Sequence, residues 1–71
     1  MEEKIGDLIK RLRTEKGYSV KDLAEKTGFS VVEIKSIEAN KFKPRVFNLV
    51  KFANALDVDY DFLFSIRQIN K

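Results

Sequence analysis

The chain has 71 residues, which is enough for one small domain with an economical core. Its 14 Lys and Arg against 11 Asp and Glu give a net charge of +3, which favours polyanionic partners without requiring them. Cys and His are both absent, so disulfides, thiolate nucleophiles, imidazole bases and the usual zinc ligands are excluded, and we do not expect an enzyme.

The sequence carries no sign of export or of membrane insertion. Residues 1–4 lack the apolar region of a signal peptide, and the apolar runs are far shorter than a transmembrane helix requires. We therefore expect a cytoplasmic protein without a membrane partner.

The first three helices are predicted from apolar spacing and from capping residues. A helix over residues 3 to 16 is followed by Gly17, which suits a left-handed C-terminal cap. Ser19 opens a short second helix that Gly28 closes. Ser30 and Glu33 form a capping box that opens a third helix over residues 30–39. The predicted buried stripes comprise Ile5, Leu8, Ile9, Leu12, Leu23, Ala24, Ile34 and Ile37.

Two further helices follow the loop that ends at Pro44. Apolar residues at helical intervals predict a fourth helix as far as Asp57, and Asp59 can cap a short fifth helix through Phe64. The polar remainder from residue 65 is expected to fray. We therefore predict an all-α fold, with residues 1–66 as one helix-turn-helix domain and residues 67–71 as a C-terminal tail.

The second and third helices are joined by a tight connection of Thr27, Gly28 and Phe29. Glycine tolerates the backbone conformation that such a turn needs, so a helix-turn-helix is one interpretation. An ordinary helical hairpin in a small bundle is the other. Spacing alone leaves both open.

Further residues resemble the Cro and phage-repressor-type helix-turn-helix family, over about residues 5 to 64. The residues that match are the run LAEKTGFS at 23–30, Ile34, Ile37, Glu38, Pro44, Ala53, Ala55 and Leu56. The resemblance implies a compact five-helix lambda-repressor-like DNA-binding domain. It also implies a sequence-specific regulator of transcription, a repressor, that binds double-stranded DNA with its third helix in the major groove.

The resemblance also implies an internal ion pair between Arg13 and Glu38, near the ends of the first and third helices. The alternative is two solvated charges. Because breaking a buried pair costs about 3–5 kcal/mol, truncating either partner distinguishes the two.

DNA contacts follow from the geometry of the third helix and from the resemblance. With the isoleucines turned inward, about 100° per residue directs Val32, Lys35 and Ser36 outward, with Val31 and Ser30 at the leading edge. The resemblance assigns base contacts to this surface. It assigns phosphate contacts to the start of the second helix and to the loop after the third, at Ser19, Lys41, Lys43 and Arg45. The three loop bases could equally be solvated.

The sequence departs from the family at three valines. Val20, Val31 and Val32 stand where members usually carry polar residues, often Gln. The valines of the third helix could pack against thymine methyl groups in the major groove. Alternatively, the face no longer reads sequence and binds a protein partner.

Three phenylalanines also replace residues that are usually polar in the family. Phe42, Phe47 and Phe62 are candidates for a homodimer interface, although at least one is expected to extend the core instead. The alternative function is a protein-interaction module, an antirepressor or antitoxin-like subunit with weak or non-specific DNA binding and a regulatory protein as its partner.

No cofactor or metal ion is expected. Asp57, Asp59 and Asp61 are spaced like the start of a calcium loop, but Phe62 stands where glycine is required and Gln68 where the bidentate Glu should be. We interpret these acids as helix-start caps.

Overall fold

The structure, a computed structural model, describes residues 3–41 and 43–69. Five helices follow one another along the chain, and no strand occurs in these two ranges. They are α1 (Ile5–Glu15), α2 (Val20–Thr27), α3 (Val31–Glu38), α4 (Val46–Leu56) and α5 (Tyr60–Ile69). The predicted all-α, five-helix architecture is confirmed.

One core joins all five helices. α1 packs on α3, α4 and α5, α2 packs on α3 and α4, and α4 pairs with α5. The apolar side chains at its centre are Ile5, Leu8, Ile9, Leu23, Ala24, Ile34, Ile37, Leu49, Phe52, Ala53, Leu56 and Leu63. The predicted stripes of the first three helices therefore face one interior, whereas in the fourth helix Leu49, Ala53 and Leu56 are buried but Val46 and Val50, expected in the same stripe, are exposed.

Local hydrogen bonds fix the starts of α2 and α3. In α3 the Glu33 amide donates to Ser30 Oγ at 3.1 Å, and the Ser30 amide donates to Glu33 Oε1 at 2.8 Å. Ser19 and Asp22 form the same reciprocal pair at 3.0 and 2.9 Å. These boxes satisfy backbone N–H groups that would otherwise lack partners at the start of each helix.

The turn between α2 and α3 is held by a buried threonine. Thr27 Oγ1 donates to the Leu23 carbonyl at 2.8 Å and accepts from the Phe29 amide at 3.3 Å. Gly28 has a φ of 85°, the left-handed conformation that favours glycine. The turn thus fixes the angle at which α3 leaves α2.

The start of α1 is completed by a residue distant in sequence. Asn40, just after α3, accepts the Gly6 amide on Oδ1 at 2.9 Å and donates from Nδ2 to Asp7 at 3.0 Å. A Cβ at Gly6 would overlap the carbonyl oxygen of Ile37. The close approach of α1 to the end of α3 therefore depends on glycine.

Two expectations about the second half of the chain were wrong. α5 does not fray from residue 65: Ile66 packs against the core, and Arg67 donates from Nε to the Pro44 carbonyl at 2.7 Å. Asp57 does not start a helix but ends α4 with a φ of 58°. The boundary at residue 66 stays a prediction, and residues 70 and 71 of the predicted tail lie outside the described residues.

Candidate nucleic-acid interface

The end of α3 is anchored to α1 by a buried ion pair. Arg13 donates from Nε and Nη2 to the two carboxylate oxygens of Glu38 at 2.7 and 3.0 Å, and the side chains are only 10% and 7% exposed. Arg13 also donates from Nη1 to the Tyr18 carbonyl at 2.9 Å. The hydrogen bond to Glu38 raises the pKa of Arg13 despite partial desolvation. The expected pair is present, and the alternative of two solvated charges is wrong.

The opposite side of α3 is open. Val32 is 72% exposed, Lys35 is exposed, and Ser36 is half-buried. Ser30 is exposed, but its hydroxyl is engaged in the capping box. A helix whose outer face is left uncovered by its own domain can enter a groove without rearrangement.

The structure separates the three valines that depart from the family pattern. Val20 and Val31 are half-buried and pack against the core, whereas Val32 projects outward. Core packing therefore accounts for an apolar residue at the first two positions. The apolar character of the open face rests on Val32.

Three basic residues follow α3 in the chain. Lys41 and Arg45 are exposed, and Lys43 is half-buried, in the loop between α3 and α4. The next charged residue along the chain is Lys51, and no acid occurs between Glu38 and Asp57. No acidic side chain lies in the first turn of α4. The loop therefore carries positive charge with no acid in its own stretch of sequence.

Ser19 is exposed at the start of α2. Its Oγ accepts from the Asp22 amide at 3.0 Å, and its hydroxyl interacts with the Asp22 carboxylate. Ser19 therefore caps its helix at an exposed position, and a phosphate contact there stays a prediction.

Two of the three predicted interface aromatics lie on α4 and α5. Phe47 is 74% and Phe62 45% exposed, whereas Phe42 lies outside the described residues. The ammonium group of Lys51 lies 5.9 Å from the Phe47 ring centre and 5.3 Å from that of Phe29. Phe47 therefore does not extend the core, a role that Phe52 fills.

Comparison with protein families identifies this arrangement. A helix-turn-helix family model matches residues 9–63. The chain belongs to this family, of the Cro and phage-repressor type. The family membership and the lambda-repressor-like fold expected from the sequence are thus confirmed.

Two curated relatives are transcriptional regulators. SinR of Bacillus subtilis is 46% identical over 55 residues, which are 76% of this chain and 50% of SinR. SutR of Escherichia coli is 39% identical over 57 residues, 80% of this chain and 32% of SutR. The chain spans half the length of SinR and about a third of SutR.

Solved structures show the same fold. SinR in complex with DNA has a TM-score of 0.78 at 43% identity, covering 84% of this chain and 97% of that one. The restriction-modification controller protein C.AhdI of Aeromonas hydrophila has a TM-score of 0.79 at 32% identity, covering 84% and 91%. The complex of SinR with SinI has a TM-score of 0.77 at 43% identity, covering 83% and 58%.

Within residues 3–41 and 43–69, no helix is long and apolar enough to cross a membrane, and no group of acids is placed to hold a metal ion.

Sequence reasoning missed Gly6, Asn40 and Arg67, because their partners are far away in the sequence and belong to no local pattern.

Proposed function

We propose that this chain is the sequence-specific double-stranded DNA-binding domain of a transcriptional regulator, a repressor, and that it inserts α3 into the major groove. The observation that carries the proposal is the two-sided character of α3. Its inner side is fixed by Ile34, Ile37 and the Glu38 ion pair, and its outer side is open around Val32. The relative SinR has been solved with DNA on the same fold.

In this arrangement Val32 is the central base contact. Its methyl groups suit the C5-methyl group of thymine, and Lys35 and Ser36 supply donors one helical turn further on. Val31 and Ser30 lie at the edge of the helix, where packing and capping already engage them. We therefore expect specificity to concentrate at one T-containing step.

The DNA backbone would be held on both sides of the groove. Ser19 donates from the start of α2, and Lys41, Lys43 and Arg45 contribute charge from the loop before α4. Such contacts fix register and carry no sequence information themselves. The proposed activity needs no cofactor and no catalysis, and it belongs in the cytoplasm.

Selection from random duplex DNA at two salt concentrations tests the proposal. We expect a T-containing motif to be enriched at both concentrations, and Val32→Ala to relax its central preference while leaving the salt dependence unchanged. Lys43→Gln should instead weaken all sequences alike and lower the salt slope by about 1. Lys10→Gln, on the exposed face of α1, removes the same charge as a control. Salt-sensitive binding without enrichment, or no binding, would contradict sequence-specific recognition.

The exposed apolar residues of α4 favour a second, protein-binding role. Val46, Phe47 and Val50 are 39%, 74% and 45% exposed on neighbouring positions of one helix. We propose that this surface and Phe62 hold a second copy of the chain, so that two α3 helices read half-sites about 34 Å apart. SinR has been solved with SinI, which makes a regulatory protein the alternative occupant.

Sedimentation equilibrium distinguishes these occupants. Phe47→Ser is expected to shift the chain towards monomer and to reduce binding to a two-half-site duplex more than to a single half-site. An unmodified chain that is monomeric at all concentrations, with or without DNA, would contradict the dimer and leave the protein-interaction module as the better explanation of this surface.

A further inference from the structure

The last turn of α5 contacts the loop that carries the candidate phosphate ligands. Arg67 donates from Nε to the Pro44 carbonyl at 2.7 Å, across 23 positions of sequence, and from Nη1 to Gln68 Oε1 at 3.2 Å. A hydrogen bond from a guanidinium is shorter and stronger than one between neutral groups. Proline has no N–H, so its carbonyl is the backbone polar group through which this position can be held.

Pro44 links the contact with Arg67 to the two basic residues beside it in the loop. Its ring is fully buried, and its neighbours in the chain are Lys43 and Arg45. Arg45 is the N-cap of α4, and its carbonyl accepts the Asn48 and Leu49 amides at 2.9 and 3.2 Å. The orientation of the Pro44 carbonyl fixes the peptide plane that leads into Arg45, because the peptide unit is rigid.

The other end of the loop is tied to α3. The Lys41 amide donates to the Ser36 carbonyl at 3.0 Å. The loop is thus attached to the groove-reading helix at its start and to α5 near its end. No side chain caps α4 locally. Its first turn is therefore placed by tertiary contacts.

We propose that Arg67 is a positioning residue for DNA binding: by holding the Pro44 carbonyl it aims Lys43 and Arg45 at the sugar-phosphate backbone. The inference rests on the proposed function. It places a determinant of DNA affinity in the segment that the sequence predicts to be a tail. Side chains that hold a contact residue in place set how closely that residue meets its ligand.

The test compares three single variants on a mixed-sequence duplex of about three helical turns, ~30 base pairs. Arg67→Gln is expected to weaken binding by about 3- to 10-fold, and Arg67→Lys, which keeps a charged donor, by about 2-fold. Lys10→Gln, with the same charge loss on α1, measures the effect of net charge alone. If Arg67→Gln matches Lys10→Gln and Arg67→Lys matches the unmodified chain, Arg67 does not position the loop.

A double-mutant cycle separates positioning from direct contact. In a chain carrying Lys43→Gln and Arg45→Gln, a further Arg67→Gln is expected to weaken binding no more than Lys10→Gln does, because the residues through which it acts are gone and only the charge loss is left. If Arg67→Gln weakens DNA binding by the same factor in this background as in the unmodified chain, Arg67 contacts DNA itself and the proposal is overturned.

An NMR measurement on the free protein, without DNA, also tests whether Arg67 holds the loop in place. In the free protein, NMR order parameters of the Lys43 and Arg45 amides are expected to fall in Arg67→Gln and to stay at rigid values in Lys10→Gln. Unchanged order parameters would overturn the proposal. If the unmodified chain fails to bind the duplex, the proposed function fails; if it binds and Arg67→Gln matches its control, only the positioning role fails.

Discussion

Helices α3 and α4 begin in opposite ways. α3 starts with its own capping box, in which Ser30 and Glu33 exchange two hydrogen bonds. α4 starts at Arg45, whose side chain makes no cap. The residue before it, Pro44, has its carbonyl held by Arg67 of α5. The start of α3 is a property of four consecutive residues, and the start of α4 is a property of the fold.

The outer surfaces of the two helices also differ. Around Val32, α3 presents a single exposed valine among polar residues, whereas α4 presents a cluster of exposed apolar residues headed by Phe47. The first surface suits a groove lined by polar base edges, and the second suits another protein. The comparison teaches that neighbouring helices of one small core can serve different partners.

The largest expected effect comes from breaking the anchor at the end of α3. Glu38→Gln leaves the guanidinium of Arg13 buried without its counter-charge, so we expect a loss of about 3–5 kcal/mol in the free energy of unfolding. Urea unfolding followed by circular dichroism measures it. Glu15→Gln, which breaks a surface pair with Arg11, should leave stability close to that of the unmodified chain.

Replacing both partners of the ion pair tests this interpretation. Arg13→Met combined with Glu38→Leu should be less destabilising than Glu38→Gln alone, because no unpaired charge is left in the interior. If the double variant is less stable than Glu38→Gln, the ion pair contributes more to the stability of the fold than this interpretation allows.

Gly6→Ala is expected to have the next largest effect on stability. The sign of the change shows whether helix propensity or the packing of α1 against the end of α3 dominates at this position. Helix propensity alone predicts a gain of about 1 kcal/mol. The overlap of the new Cβ with the Ile37 carbonyl predicts a loss of about 1–3 kcal/mol instead. Thermal unfolding measures the difference. Lys10→Ala is the matched exposed control in α1, and a stabilised Gly6→Ala would disprove the close approach.

Removing the two N-cap side chains sharpens the comparison directly. Ser30→Ala should cost about 1 kcal/mol, because the Glu33 amide loses its acceptor. Arg45→Ala, at the equivalent position of α4, should change stability by less than about 0.5 kcal/mol, because no cap is lost. Chemical unfolding of both variants checks this. Equal losses would show that the two helices do not begin differently after all.

The smallest expected effect is a pH dependence at the other capping box. Hydrogen bonds from the Ser19 backbone and hydroxyl lower the pKa of Asp22. A carboxyl whose pKa is lower in the folded state stabilises the fold above its unfolded pKa, and this contribution disappears as the pH falls through the folded value. Asp22→Asn should therefore be less stable than the unmodified chain near neutral pH, with the difference shrinking in acid.

Unfolding at about pH 7 and about pH 2 measures that difference. Glu25→Gln, an exposed acid in the same helix, is the control and should show no such convergence. A constant difference between Asp22→Asn and the unmodified chain at both pH values would mean that the carboxylate does not participate in the cap.

Residues close together in sequence determined most of the fold. The caps at Ser19 and Ser30, the left-handed Gly28 and the apolar stripes predicted five helices and most of the core, because each is a contact within a few residues of one helix. The resemblance supplied the pairing of Arg13 with Glu38. The base and phosphate contacts that the resemblance implies are made with a molecule outside the chain, so they stay predictions.

What remained was decided by tertiary structure. Helical geometry placed Val32 outward, but the sequence could not show that Val20 and Val31 pack against the core, nor that Asn40 completes α1 and Arg67 holds the loop before α4. The physical reason is distance along the chain. A pattern of neighbouring residues specifies which face of a helix is apolar, but only the packing of one helix against another fixes what each remaining polar group can reach.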